Sequence, residues 1–376
     1  MLLRKSGNAL VLAIISLLLS SATASSQPFF KGYEHLFLPA RHYVAYQTTQ
    51  EICIDGKAGE RSWSKAEWTE PFADIEGPVR PAPKYNTRAK MLWDNNSLYI
   101  FAELEEPGIW AYYRQHDQIV YHENDFEVFI DPDRDGLNYF EFELNAANTL
   151  FDLFLPKPYR NGGNPLLTWD AKGFKSAVSL HGTINNPGDR DKKWTVEIAI
   201  PFESLQAETT HPVIPSDGDI WKINFSRVEW QTSTVNGKYQ KKKNDQTSRD
   251  LPEDNWVWSP TGEINMHVPE RWGYLQFSAN PAGSQPVGFQ IPMNDNLKKI
   301  LWLGYYKQTD FRRKNHEYAR KLDQLEMPEN LRSESGETLK LNLNAKADQF
   351  QLMLQTEDGK QLSINHSGEI EQTQKQ

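Results

Sequence analysis

Two neighbouring runs, Asp125-Phe126-Glu127-Val128-Phe129-Ile130-Asp131 and Tyr139-Phe140-Glu141-Phe142-Glu143-Leu144-Asn145, place polar side chains at nearly every second position. Side chains alternate between the two faces of a strand, so Phe126, Val128, Ile130, Phe140, Phe142 and Leu144 would share one face. Asp125, Glu127, Tyr139, Glu141, Glu143 and Asn145 would then share the other. Carboxylates, an amide and a ring on one surface suit a sugar, whose vicinal hydroxyls donate to carboxylates and whose C–H faces lie on rings. The same alternation also describes the solvated face of an ordinary antiparallel sheet. A second chemistry is open to these groups. A pair such as Glu127 with Glu141 or Glu143 could hydrolyse a glycosidic bond, because same-face strand neighbours can meet the roughly 5–5.5 Å or 6.5–9.5 Å that such enzymes need. No recognised catalytic motif accompanies the pair, and no residue is singled out as catalytic.

Other groups could take part in metal or cofactor chemistry. Asp131-Pro132-Asp133-Arg134-Asp135-Gly136 resembles the start of a calcium loop. An EF-hand needs a glutamate at the twelfth position, which here is Phe142, and flanking helices, which the pattern lacks. The stretch therefore reads as an acidic hairpin turn, with calcium on Asp131, Asp133 and Asp135 as the alternative; no other cofactor is expected. Haem would need axial ligands such as Met91, Met266, His267 or His122, without a covalent attachment motif. His116 and His122 lie close to Tyr121 in sequence, as surface-loop residues or as part of a site. Lys241-Lys242-Lys243 reads as a solvated basic loop.

The elements that must hold these groups are strands. Period-two alternation runs from Val44 to about Ser278, again in Trp194–Ile200 and Trp221–Phe225, and turn chemistry separates the runs at Asp94-Asn95-Asn96-Ser97, Asp135-Gly136, Asn161-Gly162-Gly163 and Asp217-Gly218-Asp219. Short strands so punctuated, without helices between them, predict an antiparallel, jelly-roll-like β-sandwich over 44–280 with Trp93, Trp194 and Trp221 in its core. Residues 25–43 form an N-terminal arm. After a Pro/Gly-containing linker from Pro281 the pattern changes to a helix carrying Leu297, Ile300, Leu301 and Tyr305 and continuing past Tyr318. Strand-like runs follow at Leu339–Leu343, Phe350–Leu354 and Leu362–Ile364, and the last ten residues read as frayed. The extension over 281–376 is too thin in apolar residues to fold alone and is expected to dock on the sandwich.

Composition narrows the partners. With 41 Lys and Arg against 50 Asp and Glu, the net charge is −9, which argues against nucleic acid or an anionic membrane. Arg4 and Lys5, the apolar run Ala9–Leu19 and Ala22-Thr23-Ala24 make residues 1–24 read as a secretory signal peptide. No later run is long enough to span a membrane as a helix. The protein is therefore expected to be exported, to the periplasm or beyond. Its single cysteine, Cys53, excludes an internal disulfide.

Three stretches resemble carbohydrate-binding module family 9 and its wider relatives in the DOMON-like superfamily. They are Ile54-Asp55-Gly56 with Trp63 and Leu92–Ile100; Glu123–Pro132 with Tyr139–Asn145; and Trp256-Val257-Trp258 with Pro269–Leu275. The resemblance implies a non-catalytic β-sandwich that clamps an oligo- or polysaccharide between two rings and travels with a glycan-degrading enzyme system. It places the first ring at Tyr121, six residues before the sugar-contacting Glu127, and the second at Trp256 or Trp258. The family's basic contact falls at Glu143, a reversal of charge, with Asn145 two residues on. Arg227 or Lys222 would be the replacement cation.

Overall fold

The computed structural model describes residues 28–206, 214–333 and 336–374. The expected signal segment lies outside the described residues. The first fourteen strands are β1 (His42–Gln47), β2 (Ala73–Asp74), β3 (Thr87–Trp93), β4 (Ser97–Glu105), β5 (Asp125–Asp131), β6 (Tyr139–Asn145), β7 (Leu150–Leu155), β8 (Lys175–His181), β9 (Lys193–Pro201), β10 (Ile220–Glu229), β11 (Thr232–Val235), β12 (Lys238–Lys241), β13 (Asp254–Val257) and β14 (Gly273–Pro281). One sheet runs in the order β7-β6-β5-β10-β14-β1-β3-β4-β9-β8, with β13 joined to β10 and to β2. It curls over so that its two halves face each other as a sandwich. Phe126, Val128, Phe140 and Phe142 from one half meet Ile100, Trp194, Val196 and Ile198 from the other in a single core. Trp93, Trp194 and Trp221 are buried there, as their strand pattern predicts.

One feature departs from the antiparallel expectation. β1 pairs parallel with both β14 and β3 and so joins the two halves. The alternation of β5 and β6 holds, but their polar face is not open to water: every residue of both strands is buried. A second, smaller core of Val120, Phe129, Tyr139, Phe151, Leu153, Val257, Met266 and Trp272 covers part of that face.

The C-terminal quarter differs from expectation in three ways. The helix spans Met293–Asn315 (α2; the short α1 is Arg61–Lys65) and does not continue past Tyr318. His316 turns left-handed at φ 63° and its N–H closes on the Arg312 carbonyl, which ends the helix. Five strands, β15 (Asn330–Arg332), β16 (Thr338–Ala345), β17 (Phe350–Gln355), β18 (Lys360–Asn365) and β19 (Ile370–Gln374), make an antiparallel meander. The last of these occupies the segment expected to fray. Leu297, Leu301, Tyr305, Leu341, Leu352 and Leu354 build a core of the extension's own, joined by Phe29 from the N-terminal arm.

Candidate functional site

Glu127 on β5 stands opposite Glu143 on β6, and Phe129 opposite Glu141. Because these positions share the outer face, the three carboxylates converge on the floor of a cavity of about 500 Å³. Three loops form its walls. The segment before β5 brings Ile119 and Tyr121; the segment after β7 brings Tyr159, Pro165 and Leu167; the segment before β14 brings Ile264, Met266 and His267. Tyr121 and Tyr159 are 40% and 45% exposed, so both rings leave surface open at the cavity.

Local chemistry fixes each wall. The Tyr121 N–H donates to Glu143 Oε2 at 3.1 Å, and its carbonyl accepts from Trp230 Nε1 at 2.9 Å. Tyr159 follows Pro158 in a single 3-10 turn that Gly162 closes with φ 75°. At Gly163 a Cβ would meet the Lys157 carbonyl oxygen at 1.8 Å, so only glycine fits there. The Tyr159 ring packs edge-on against His267, with centroids 4.4 Å apart. His267 Nδ1 lies 3.0 Å from the Tyr139 hydroxyl. Burial, helped by the Arg160 charge, lowers the His267 pKa to about 4, so the ring is neutral.

The floor is electrostatically unusual. Burial raises the Glu127 carboxyl to about 7, and the nearby Glu253 adds to the shift. Burial and neighbouring carboxylates push Glu141 and Glu143 well above the ordinary carboxylate range. Asp125 behaves likewise, although its Oδ1 accepts the Val228 N–H at 3.2 Å. A protonated carboxyl both donates and accepts, so this floor can grip hydroxyl groups in either sense.

The sequence of residues 54–279 matches the carbohydrate family 9 binding domain-like family. The chain belongs to that family. No curated protein matches it in sequence. Among solved structures it is similar to a family 9 carbohydrate-binding module from Caldicellulosiruptor kristjanssonii in complex with cellotriose, at 16% identity over 67% of this chain and 100% of the module, with a TM-score of 0.41. A family 9 module from the same organism in complex with glucose gives 17% identity over 65% of this chain and 100% of the module, with a TM-score of 0.39. A protein from Bacteroides uniformis gives 17% identity over 64% of this chain and 100% of its own, with a TM-score of 0.46.

Within this family 9-like sandwich, the structure brings Tyr121, Glu127 and Glu143 together at the cavity and leaves the other expected groups elsewhere. Trp256 and Trp258 are in the core, 3% and 0% exposed. Trp256 lies in β13 opposite Arg227, so it points inward, as does Trp258 two residues on, while Val257 points the other way toward the cavity side. The Trp-Val-Trp spacing was itself the signal of a strand. Trp256 packs against Tyr85 and the Arg227 guanidinium. Asn145 is fully buried and its amide is engaged with Tyr113, Glu123, Ala147 and Thr149, so it anchors the loop before β5 and does not reach the cavity. Neither expected cation lines the cavity. Arg227 is 1% exposed and paired with Glu106 and Glu229, and Lys222 Nζ donates to the Trp272 carbonyl at 2.7 Å.

Sequence reasoning missed Tyr159 as a ring lining the cavity; its one signal was an aromatic residue at a Pro- and Gly-bounded loop tip. His122 packs beside the Tyr121 ring, and His116 lies in a separate acidic cluster. At Asp131, Asp133 and Asp135 one oxygen from each carboxylate gathers within 4.8 Å. Asp131 accepts the Arg134 and Gly136 N–H groups, Asp133 that of Asp135, and Asp135 that of Leu137, as in a self-contained hairpin turn.

Proposed function

We propose that this chain is an exported, non-catalytic carbohydrate-binding protein that holds an oligo- or polysaccharide in the cavity above β5 and β6 and serves polysaccharide catabolism. The observation that carries this reading is one cavity in which the half-exposed rings of Tyr121 and Tyr159 face the carboxyl groups of Glu127, Glu141 and Glu143. A volume of about 500 Å³ falls in the usual range of small-ligand sites. The rings supply stacking surfaces for C–H faces, and the carboxyl groups take the hydroxyls. Family membership, together with the saccharides held by the family 9 modules from Caldicellulosiruptor kristjanssonii, supports the ligand class. The basic, apolar and small-residue succession over residues 1–24 supports export. The Asp131–Asp135 turn enters as a structural hairpin end; a calcium ion there would rest on those three carboxylates, and titration with Ca²⁺ checks it.

The raised carboxyl of Glu127 favours a second reading, a glycoside hydrolase with a proton-carrying glutamate. A calorimetric titration and a glycan array on the mature protein, beside Tyr121→Ala, Tyr159→Ala and Glu127→Gln, separate the two. Saturable binding that both ring variants weaken, without turnover, supports the binding reading. Turnover abolished in Glu127→Gln would establish the hydrolase instead.

A further inference from the structure

A second cluster of chemistry-bearing residues lies outside the saccharide cavity, where two of its wall-forming loops meet. His116 and Asp117 come from the loop before β5, Asp152 from β7, and Asp170 from the loop after β7. One ligand-type atom from each gathers within 4.8 Å of the others. His116 Nε2 lies 2.8 Å from Asp170 Oδ1, 3.3 Å from Asp117 Oδ1 and 3.6 Å from Asp152 Oδ1. Three carboxylates thus face one imidazole, and no Lys or Arg among the described residues forms an ion pair with any of them.

Asp152 supplies the independent observation. Its side chain is 1% exposed. Oδ2 accepts the Ala171 N–H at 2.7 Å, whereas Oδ1, aimed into the cluster, is hydrogen-bonded to nothing among the described residues. Leaving a buried carboxylate oxygen without a donor is costly. Asp170 is preset by its neighbours: Trp169 packs on Phe140 and Phe142, and Ala171 is tied to Asp152.

We propose that His116, Asp117, Asp152 and Asp170 bind a divalent transition-metal ion of the zinc type. Four donors about 2.0–2.2 Å from a tetrahedral zinc ion stand about 3.3–3.6 Å apart. Two of the three distances from the imidazole nitrogen already fall in that range, and the third closes a hydrogen bond that the ion would replace. An imidazole among carboxylates suits zinc better than calcium, which takes oxygen donors. The ion would take up the unpartnered lone pairs of Asp152 Oδ1 and pin together the loops that carry Tyr121 and Leu167. It would therefore brace the saccharide cavity without touching its contents.

The test is isothermal titration of the EDTA-stripped full chain with ZnCl₂, paired with thermal unfolding. His116→Ala and Asp170→Ala alter exposed side chains, so both variants should fold. Asp133→Asn, in the other acidic cluster, is the control. The expected result is saturable Zn²⁺ binding with a rise in Tm, kept in Asp133→Asn and weakened at least about tenfold in the two cluster variants, since even outer-sphere partners of a metal are worth 10–100-fold. Absence of saturable Zn²⁺ binding overturns the proposal. So does Zn²⁺ binding that is unchanged in both cluster variants, or binding that follows Asp133→Asn.

Discussion

A carboxyl group buried beside other carboxyl groups keeps its proton to higher pH than it does in the unfolded chain. Glu127, raised to about 7 by burial, favours the folded state fully below its unfolded pKa of about 4.3 and loses that contribution as pH rises toward 7. Glu127→Gln, which cannot ionise, should therefore be more stable than wild type at pH 8, by on the order of 3 kcal/mol and with a higher Tm, and show little difference at pH 4. Thermal unfolding across that pH range checks both the sign and the window. The rings make a different prediction. Tyr121→Ala or Tyr159→Ala should each weaken saccharide binding by about 1–3 kcal/mol, by analogy with base–aromatic stacking, with little change in Tm. Trp256→Ala should instead lower stability by roughly 3–5 kcal/mol, because it empties a core position. Calorimetry beside unfolding tells the two classes apart.

Elements carry the next level of control, because the cavity is built from loops pinned to strands. Arg160, one residue after Tyr159, pairs with Glu270 at 2.9 Å and lies over the rings of Trp302 and Tyr305. The ion pair is largely buried, so Arg160→Ala should cost about 3 kcal/mol by leaving the Glu270 carboxylate only the Tyr306 hydroxyl and the more distant Arg271 guanidinium. Denaturant unfolding measures it. This level also shows what the chain disclosed in advance. Alternation in β5 and β6 announced which side chains share a face, because a period of two is a local property. It did not announce that the polar face is roofed, since the roof comes from residues more than a hundred positions away, such as Met266 and Trp272. The same limit misplaced Trp256 and Trp258, whose direction depends on the pairing of β13 with β10. Asn145 shares a face with Glu143, yet its amide oxygen goes to the turn it starts and its NH2 to the loop before β5.

At the scale of the molecule, α2 and the meander form a unit with its own core that leans on the sandwich. Tyr306 donates to Glu270 and also accepts from Arg271 Nε at 3.0 Å, and Tyr305 and Ser367 both engage Asn161. The loop bearing Tyr159 is thus clamped from behind by the extension. Ending the chain at Gln285 should lower the Tm of the sandwich by roughly 5 °C or more, since about 2 kcal/mol shifts a domain of this size by 4–8 °C. It should also weaken saccharide binding; unfolding and calorimetry on the shortened chain test both. Composition pointed to docking and did not disclose that the extension's core is completed by Phe29 from the opposite end of the sequence. The Tyr33 hydroxyl donates to Asp310 at 2.7 Å, and Phe37 packs on Tyr306. During synthesis the ribosome releases the arm some 270 residues before its partners exist. Phe29, Tyr33 and Phe37 must wait unburied through most of translation, and the closing of the molecule's two ends is an event that only a finished polypeptide can complete.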